Sequence, residues 1–130
     1  MATILIDSNI LIAYLNNNHV NHSEVKNAIN FENSNFLLTT TSLIECLVKA
    51  YEQGYEFAMN YELTFWQLIH STVDLTQNIA RKSAEILAFQ NVSFADSIIW
   101  ATAEFHGLIL WTLDKRLANK SANIKYLLAD

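Results

Sequence analysis

The sequence predicts an α/β sandwich with a mainly parallel sheet. Two observations carry that prediction. Five short runs have strand character: TILI at 3–6, FLLT at 36–39, STVDL at 71–75, LILWT at 108–112 and IKYLL at 124–128. Most are solidly apolar rather than alternating, the pattern of strands covered on both faces. Longer segments with helical spacing lie between them, and strands that alternate with helices imply parallel crossovers.

Element by element, strand 3–6 runs into a helix near 9–17, followed by a second helix near 22–32. Strand 36–39 leads to helices near 42–53 and 55–70, divided at Gly54. Strand 71–75 is interrupted by Asp74, and a helix near 76–90 follows it. The next helix, 94–106, ends at Gly107. Gly54 and Gly107 are the only two glycines, and each falls where a helix end calls for a left-handed residue. After strand 108–112 come a short helix at 114–119 and the last strand. Nothing resembles a repeat or a linker, so residues 1–130 are expected to form one domain.

Composition narrows the class. Of 130 residues, 52% are hydrophobic and 16% charged, which describes a packed globular chain rather than a disordered one. A single cysteine, Cys46, excludes an internal disulfide and a cysteine-based zinc site. No apolar stretch approaches the roughly 18 residues of a membrane span, and no basic segment precedes the first apolar run. A cytoplasmic protein with no membrane contact is the expectation. The net charge of −5 argues against a protein that coats nucleic acid electrostatically. Lys115, Arg116 and Lys120 nevertheless cluster directly after Asp114.

Four carboxylates sit at telling places. In parallel α/β sheets ligands gather outside the carboxyl ends of the strands. Asp7 leaves the first strand at that edge, Glu45 is placed in the first turn after FLLTT, Asp96 in the first turn after Ser93, and Asp114 two residues after LILWT. Each has a local explanation. Ser42 with Glu45, and Ser93 with Asp96, fit the capping box, and Asp114 can cap the short helix behind it. Asp7 is the hardest to explain so, because a charge behind three buried branched residues is costly to desolvate. Clustered carboxylates repel one another, and a divalent cation relieves that repulsion. Oxygen-only ligands point to Mg²⁺ or Mn²⁺ rather than zinc.

The motifs LIDSNILIAYL, TTTSLIECL and FADSIIWATAEFHGLILWTLDKRL and their order resemble the PIN-domain nucleases, in particular the small toxin ribonucleases of VapBC toxin–antitoxin pairs. The resemblance spans nearly the whole chain, is strongest at 3–15 and 94–117, and is thin between about 46 and 90. It implies a three-layer α/β/α sandwich with a five-stranded sheet, a cytoplasmic homodimer, and metal-dependent endonucleolytic cleavage of RNA by activated water. By position, Asp7, Glu45, Asp96 and Asp114 match the family's four acids and would be both the catalytic residues and the ligands of one or two Mg²⁺ or Mn²⁺ ions. Asn9, Ser42 and Thr112 match its supporting polar residues. FQNVSFAD departs from the family in lacking the glycine and proline often found before the third acid. Lys115, Arg116 and Lys120 are candidates for holding the RNA backbone, the alternative being a solvated basic helix end. An antitoxin protein is a further implied partner. Two other readings share the same residues: a PIN nuclease of RNA processing, and a catalytically silent RNA-binding or protein-interaction module.

Other features carry less. His19, His22, His70 and His106 lack partners for a metal site and read as surface or helix-end residues. Cys46 reads as a small buried hydrophobe. The aromatic segment from Tyr51 to Trp66 suits either the core or an interface with a second subunit or an antitoxin helix.

Overall fold

In the computed structural model, which describes residues 1–128, twelve elements alternate as expected. They are β1 (Thr3–Ile6), α1 (Ser8–Leu15), α2 (His22–Ala28), β2 (Asn35–Thr39), α3 (Thr40–Tyr51), α4 (Tyr55–Leu68), β3 (Ser71–Val73), α5 (Gln77–Phe89), α6 (Phe94–His106), β4 (Ile109–Thr112), α7 (Lys115–Ala118) and β5 (Ile124–Tyr126). The five strands form one sheet in the order β3-β2-β1-β4-β5, and every pairing is parallel. The three-layer sandwich is therefore present.

Each face of the sheet is apolar because successive residues of a strand point to opposite sides. Ile4, Ile6, Phe36 and Leu38 pack with Ile10 and Leu11 of α1, Val25 of α2, Cys46 of α3 and Phe65 of α4. Leu5 of β1 and Leu110 of β4 pack on the opposite face with Ile79 and Ile86 of α5, Ile99 and Trp100 of α6 and Leu117 of α7. Burial on both faces explains the unbroken apolar runs.

The chain starts in the middle of the sheet. From β1 it moves outward through β2 to β3, then crosses over to β4 and β5. The order reverses between β1 and β4, and such a switch point leaves a crevice outside the strand ends. Asp7 stands there, its amide donating to the Trp111 carbonyl at 2.9 Å.

Several boundaries differ from expectation for local reasons. Helix α2 stops at Ala28 rather than 32, and Asn30 instead turns the chain through its side chain, which accepts from the Glu32 amide. Helix α3 begins at Thr40, with Thr39 as its cap. Strand β3 ends at Val73, before the charge of Asp74, and β5 ends at Tyr126. Gly107 closes α6 in the left-handed region, φ 63° and ψ 35°. Gly54 also has positive φ, 108°, but with ψ 161° it is an extended break before α4 rather than a left-handed cap.

Candidate active site

Four segments deliver the carboxylates. Asp7 follows the last residue of β1 and is 6% exposed. It precedes α1 but its side chain does not cap that helix. The carboxylate faces β4 instead: Thr112 donates its hydroxyl to Oδ2 at 2.8 Å, and Ser8 lies 3.4 Å from Oδ1. Thr112 is fully buried. Its Oγ1 also accepts from the Asn9 amide group at 3.3 Å and from the Asp114 backbone amide at 3.0 Å. Asn9 Oδ1 accepts from the Leu113 amide at 3.2 Å. Asn9 and Thr112 thus tie the end of β1 to the end of β4, and through it to Asp114.

Glu45 is joined by a residue that the sequence reading did not single out. Ser8 donates to Glu45 Oε1 at 3.1 Å while lying against Asp7. The only sequence signal for Ser8 was a hydroxyl directly after a strand-ending aspartate. The capping box expected at Ser42–Glu45 is not formed. Thr39 is the cap, accepting from the Ser42 amide at 3.0 Å and donating to the Ser42 hydroxyl at 3.0 Å. Because α3 starts two residues earlier than expected, Glu45 sits in its second turn and is exposed rather than bound to the helix end.

Asp96 lies in the first turn of α6, where the Ser93 hydroxyl accepts from its backbone amide at 3.1 Å. Asp114 caps α7, its Oδ1 accepting from the Arg116 and Leu117 amides at 2.9 and 3.3 Å. Both acids line one cleft of about 350 Å³ with Asn91, Ser93, Arg116 and Lys120. Lys115 lies with its ammonium over the Tyr126 ring, 5.2 Å from the centroid.

The electrostatics connect the pairs. Burial, above all, pushes the Asp7 carboxyl up to about 6, with the charges of Asp96 and Glu45 adding to it and the Thr112 hydroxyl restraining it. Asp96 is also raised, by partial burial and then by Asp114, with the Ser93 hydroxyl opposing. The four acids therefore form a chain, from Glu45 through Asp7 and Asp96 to Asp114. Among the described residues, no three His, Cys, Asp or Glu side chains converge into a ready-made metal cage. The donor chemistry nonetheless suits a hard divalent cation: oxygen atoms only, one of them on a buried carboxylate whose charge is otherwise uncompensated.

The remaining candidates resolve simply. His22 Nδ1 pairs with the Ala13 carbonyl at 2.9 Å, and His19 accepts from the Asn21 amide. Cys46 is buried beside Tyr61, and burial pushes its thiol up to about 12, so it is inert. Of the aromatic segment, Phe65 is core, whereas Tyr51, Tyr55, Phe57 and Trp66 are exposed.

No curated protein sequence matches the chain. Solved structures do. A toxin–antitoxin complex from Klebsiella pneumoniae superposes with a TM-score of 0.77 at 22% identity, over 95% of this chain and 96% of that one. DNA-bound VapBC from Salmonella typhimurium gives 0.72 at 20%, over 96% of each. VapC20 of Mycobacterium tuberculosis, a toxin that cleaves the sarcin-ricin loop, gives 0.71 at 15%, over 89% and 93%. At such identities the likeness is one of fold. A sequence profile of the PIN domain, in contrast, matches residues 4–123 directly. With the profile covering nearly every element of the sandwich, the chain belongs to the PIN domain family.

Proposed function

We propose that residues 1–130 form a single nuclease domain that hydrolyses RNA phosphodiester bonds internally, with Mg²⁺ or Mn²⁺, as the toxin of a toxin–antitoxin pair. The observation that carries the reading is Asp7: a carboxylate buried at the switch point of a parallel sheet, raised to about 6, with Asp96 and Glu45 as its charged neighbours. The side chain makes no capping hydrogen bond of normal geometry to α1, the Asn9 amide only helps to hold its charge, and its firm partner is Thr112 of β4.

In this reading Asp7 and Asp96 are the main ligands, with Glu45 and Asp114 binding directly or through water. A bound divalent ion supplies a lowered pKa for the attacking water and polarises the phosphate. The chain's own groups do the rest. Thr112 and Asn9 hold Asp7 in place, and Ser8 holds Glu45 towards it. Asp114 has one oxygen committed to capping α7, which leaves the other for the cleft. Glu45, exposed and without a helix-end role, is the better placed of the two to accept the proton of the attacking water. Arg116 and Lys120 stand beside Asp96 and Asp114 where a phosphate backbone would pass.

Partners follow the same logic. Ile44, Val48 and Tyr51 of α3 and Tyr55, Met59, Leu63 and Trp66 of α4 are all exposed. Their spacing makes apolar stripes along both helices, the character of a surface that a second copy and an antitoxin segment would cover. We place the protein in the cytoplasm; no helix of the described residues is long and apolar enough to cross a membrane.

The test is cleavage of a labelled mixed RNA pool by the purified chain in Mn²⁺, with EDTA as the blank and Asp7→Asn alongside. Cutting that needs the metal and is lost in the variant supports the proposal. Cutting unaffected by EDTA and by Asp7→Asn would refute it.

A further inference from the structure

The corner between α5 and α6 carries two large side chains that the proposed chemistry leaves unexplained. Phe89, the last residue of α5, is 82% exposed, and Phe94, the first of α6, is 70% exposed. Leaving aromatic rings of that size in water forgoes a substantial burial energy. Between them run Gln90, Asn91, Val92 and Ser93, and the last three form one wall of the cleft that holds Asp96 and Asp114. Arg116 and Lys120 line the same cleft from α7 and the turn behind it.

The mount is rigid. Ser83 of α5 and Ser97 of α6 are buried with their hydroxyls 2.7 Å apart, and Ser97 donates to the Phe94 carbonyl at 2.6 Å. The proton order is thereby fixed: Ser83 donates to Ser97, and Ser97 to the backbone of Phe94. The Gln90 amide donates to the Ile86 carbonyl at 2.8 Å, which anchors the other end of the corner. Both rings therefore stand on a pinned backbone at the margin of a cleft in which Arg116 and Lys120 face Asp96 and Asp114.

We infer that Phe89 and Phe94 form a stacking platform for unpaired bases of an RNA strand whose phosphates pass between the α5–α6 corner and Arg116 and Lys120. A positive track beside exposed aromatic faces is the general arrangement by which proteins hold single-stranded nucleic acid. Bases in a duplex keep their faces stacked on one another, so a platform of this kind selects loops and single strands. The neighbouring cations favour a polyanion over an apolar protein surface at this corner. The inference rests on the nuclease reading for its choice of RNA, and it names residues that contribute to binding rather than to bond breaking.

The test separates the two. Binding of a short fluorescent single-stranded RNA, and of the corresponding blunt duplex, is measured by anisotropy with Ca²⁺ present to neutralise the acids. A second strand carries 2-aminopurine, whose emission falls when it stacks. The wild-type chain is expected to prefer the single strand and to quench the probe. Phe94→Ala should weaken single-strand binding about tenfold, the loss of one base stack, and abolish quenching; Phe94→Tyr should restore both. The salt dependence of binding should be unchanged in Phe94→Ala but shallower in Arg116→Ala, which removes a phosphate contact. Unchanged affinity and quenching in Phe94→Ala with Phe89→Ala would overturn the inference. So would a change confined to oligomeric state, which would assign the corner to a protein contact. Cleavage in Mn²⁺ is scored separately: stacking without cutting would sink the nuclease reading alone.

Discussion

Asp7 is a residue whose cost and use can be measured independently. Its carboxyl moves from an ordinary 3.8 to about 6 in the fold, so the folded chain holds that proton more tightly than the unfolded one. Below pH 3.8 both states are protonated and the full stabilisation is present; it is lost as pH rises through about 6. The difference corresponds to about 3 kcal/mol. Asp7→Asn, with no charge to desolvate, is expected to raise the midpoint of urea unfolding at neutral pH, to an extent that corresponds to at most that free energy. At pH below 3.8 it should leave the midpoint nearly unchanged. Mn²⁺ should raise the melting temperature of the wild-type chain and not of Asp7→Asn, since a ligand stabilises only the state that binds it. Thr112 gives a contrasting case. Thr112→Val keeps the shape but strips the hydroxyl that serves Asp7, Asn9 and the Asp114 amide. It should destabilise by about 1–3 kcal/mol, read by urea unfolding, because buried polar groups are left unpaired. The positions of Asp7, Asp96 and Asp114 were legible because each follows a strand or opens a helix, whereas Glu45 lies one turn further into α3 than expected. Ser8 was not legible, since a hydroxyl beside an acid has too many uses for sequence to choose among them.

At the level of elements, helix ends decided what sequence could and could not deliver. Ser93 and Asp114 were readable as caps and are caps. At α3 the run Thr39-Thr40-Thr41-Ser42 offers four hydroxyls in succession, and any of them could begin the helix. Thr39 wins because its side chain reaches the Ser42 amide while Phe36 and Leu37 hold β2 in register with β1. Shifting that start moved Glu45 out of the capping position and into reach of the Ser8 hydroxyl. The two glycines differ as their backbone angles do. Gly107→Ala meets no neighbouring atom, so its cost is the left-handed backbone alone, about 1–2 kcal/mol by thermal unfolding. Gly107→Asn should recover part of it. Gly54, at φ 108° and ψ 161°, lies where only glycine is comfortable, and Gly54→Ala should cost about 1–3 kcal/mol. The α5–α6 corner, lacking glycine and proline, is held instead by Ser83 and Ser97, a pairing across fourteen residues that no local pattern reveals.

For the whole molecule, the fold class followed from composition of the strands, and strand order did not. Apolar runs alternating with helices imply a parallel sheet, but only tertiary packing fixes β1 at its centre and the reversal towards β4. That reversal is what brings Asp7 to Thr112, 105 residues apart. The outer surface makes its own prediction. With Met59, Leu63 and Tyr55 exposed on α4 beside Ile44 and Val48 on α3, the chain is expected to elute as a dimer in size-exclusion chromatography. Leu63→Glu with Met59→Glu should give a folded monomer, by elution volume and circular dichroism. A PIN fold alone does not dictate chemistry; the claim rests on the acids at the strand ends. Its most direct test is the chemical identity of the ends left on RNA cut by the purified chain in Mn²⁺. Attack by water predicts a 5′-phosphate and a 3′-hydroxyl, whereas a 2′,3′-cyclic phosphate would mean that the ribose attacks and that these four carboxylates are not the catalysts proposed here.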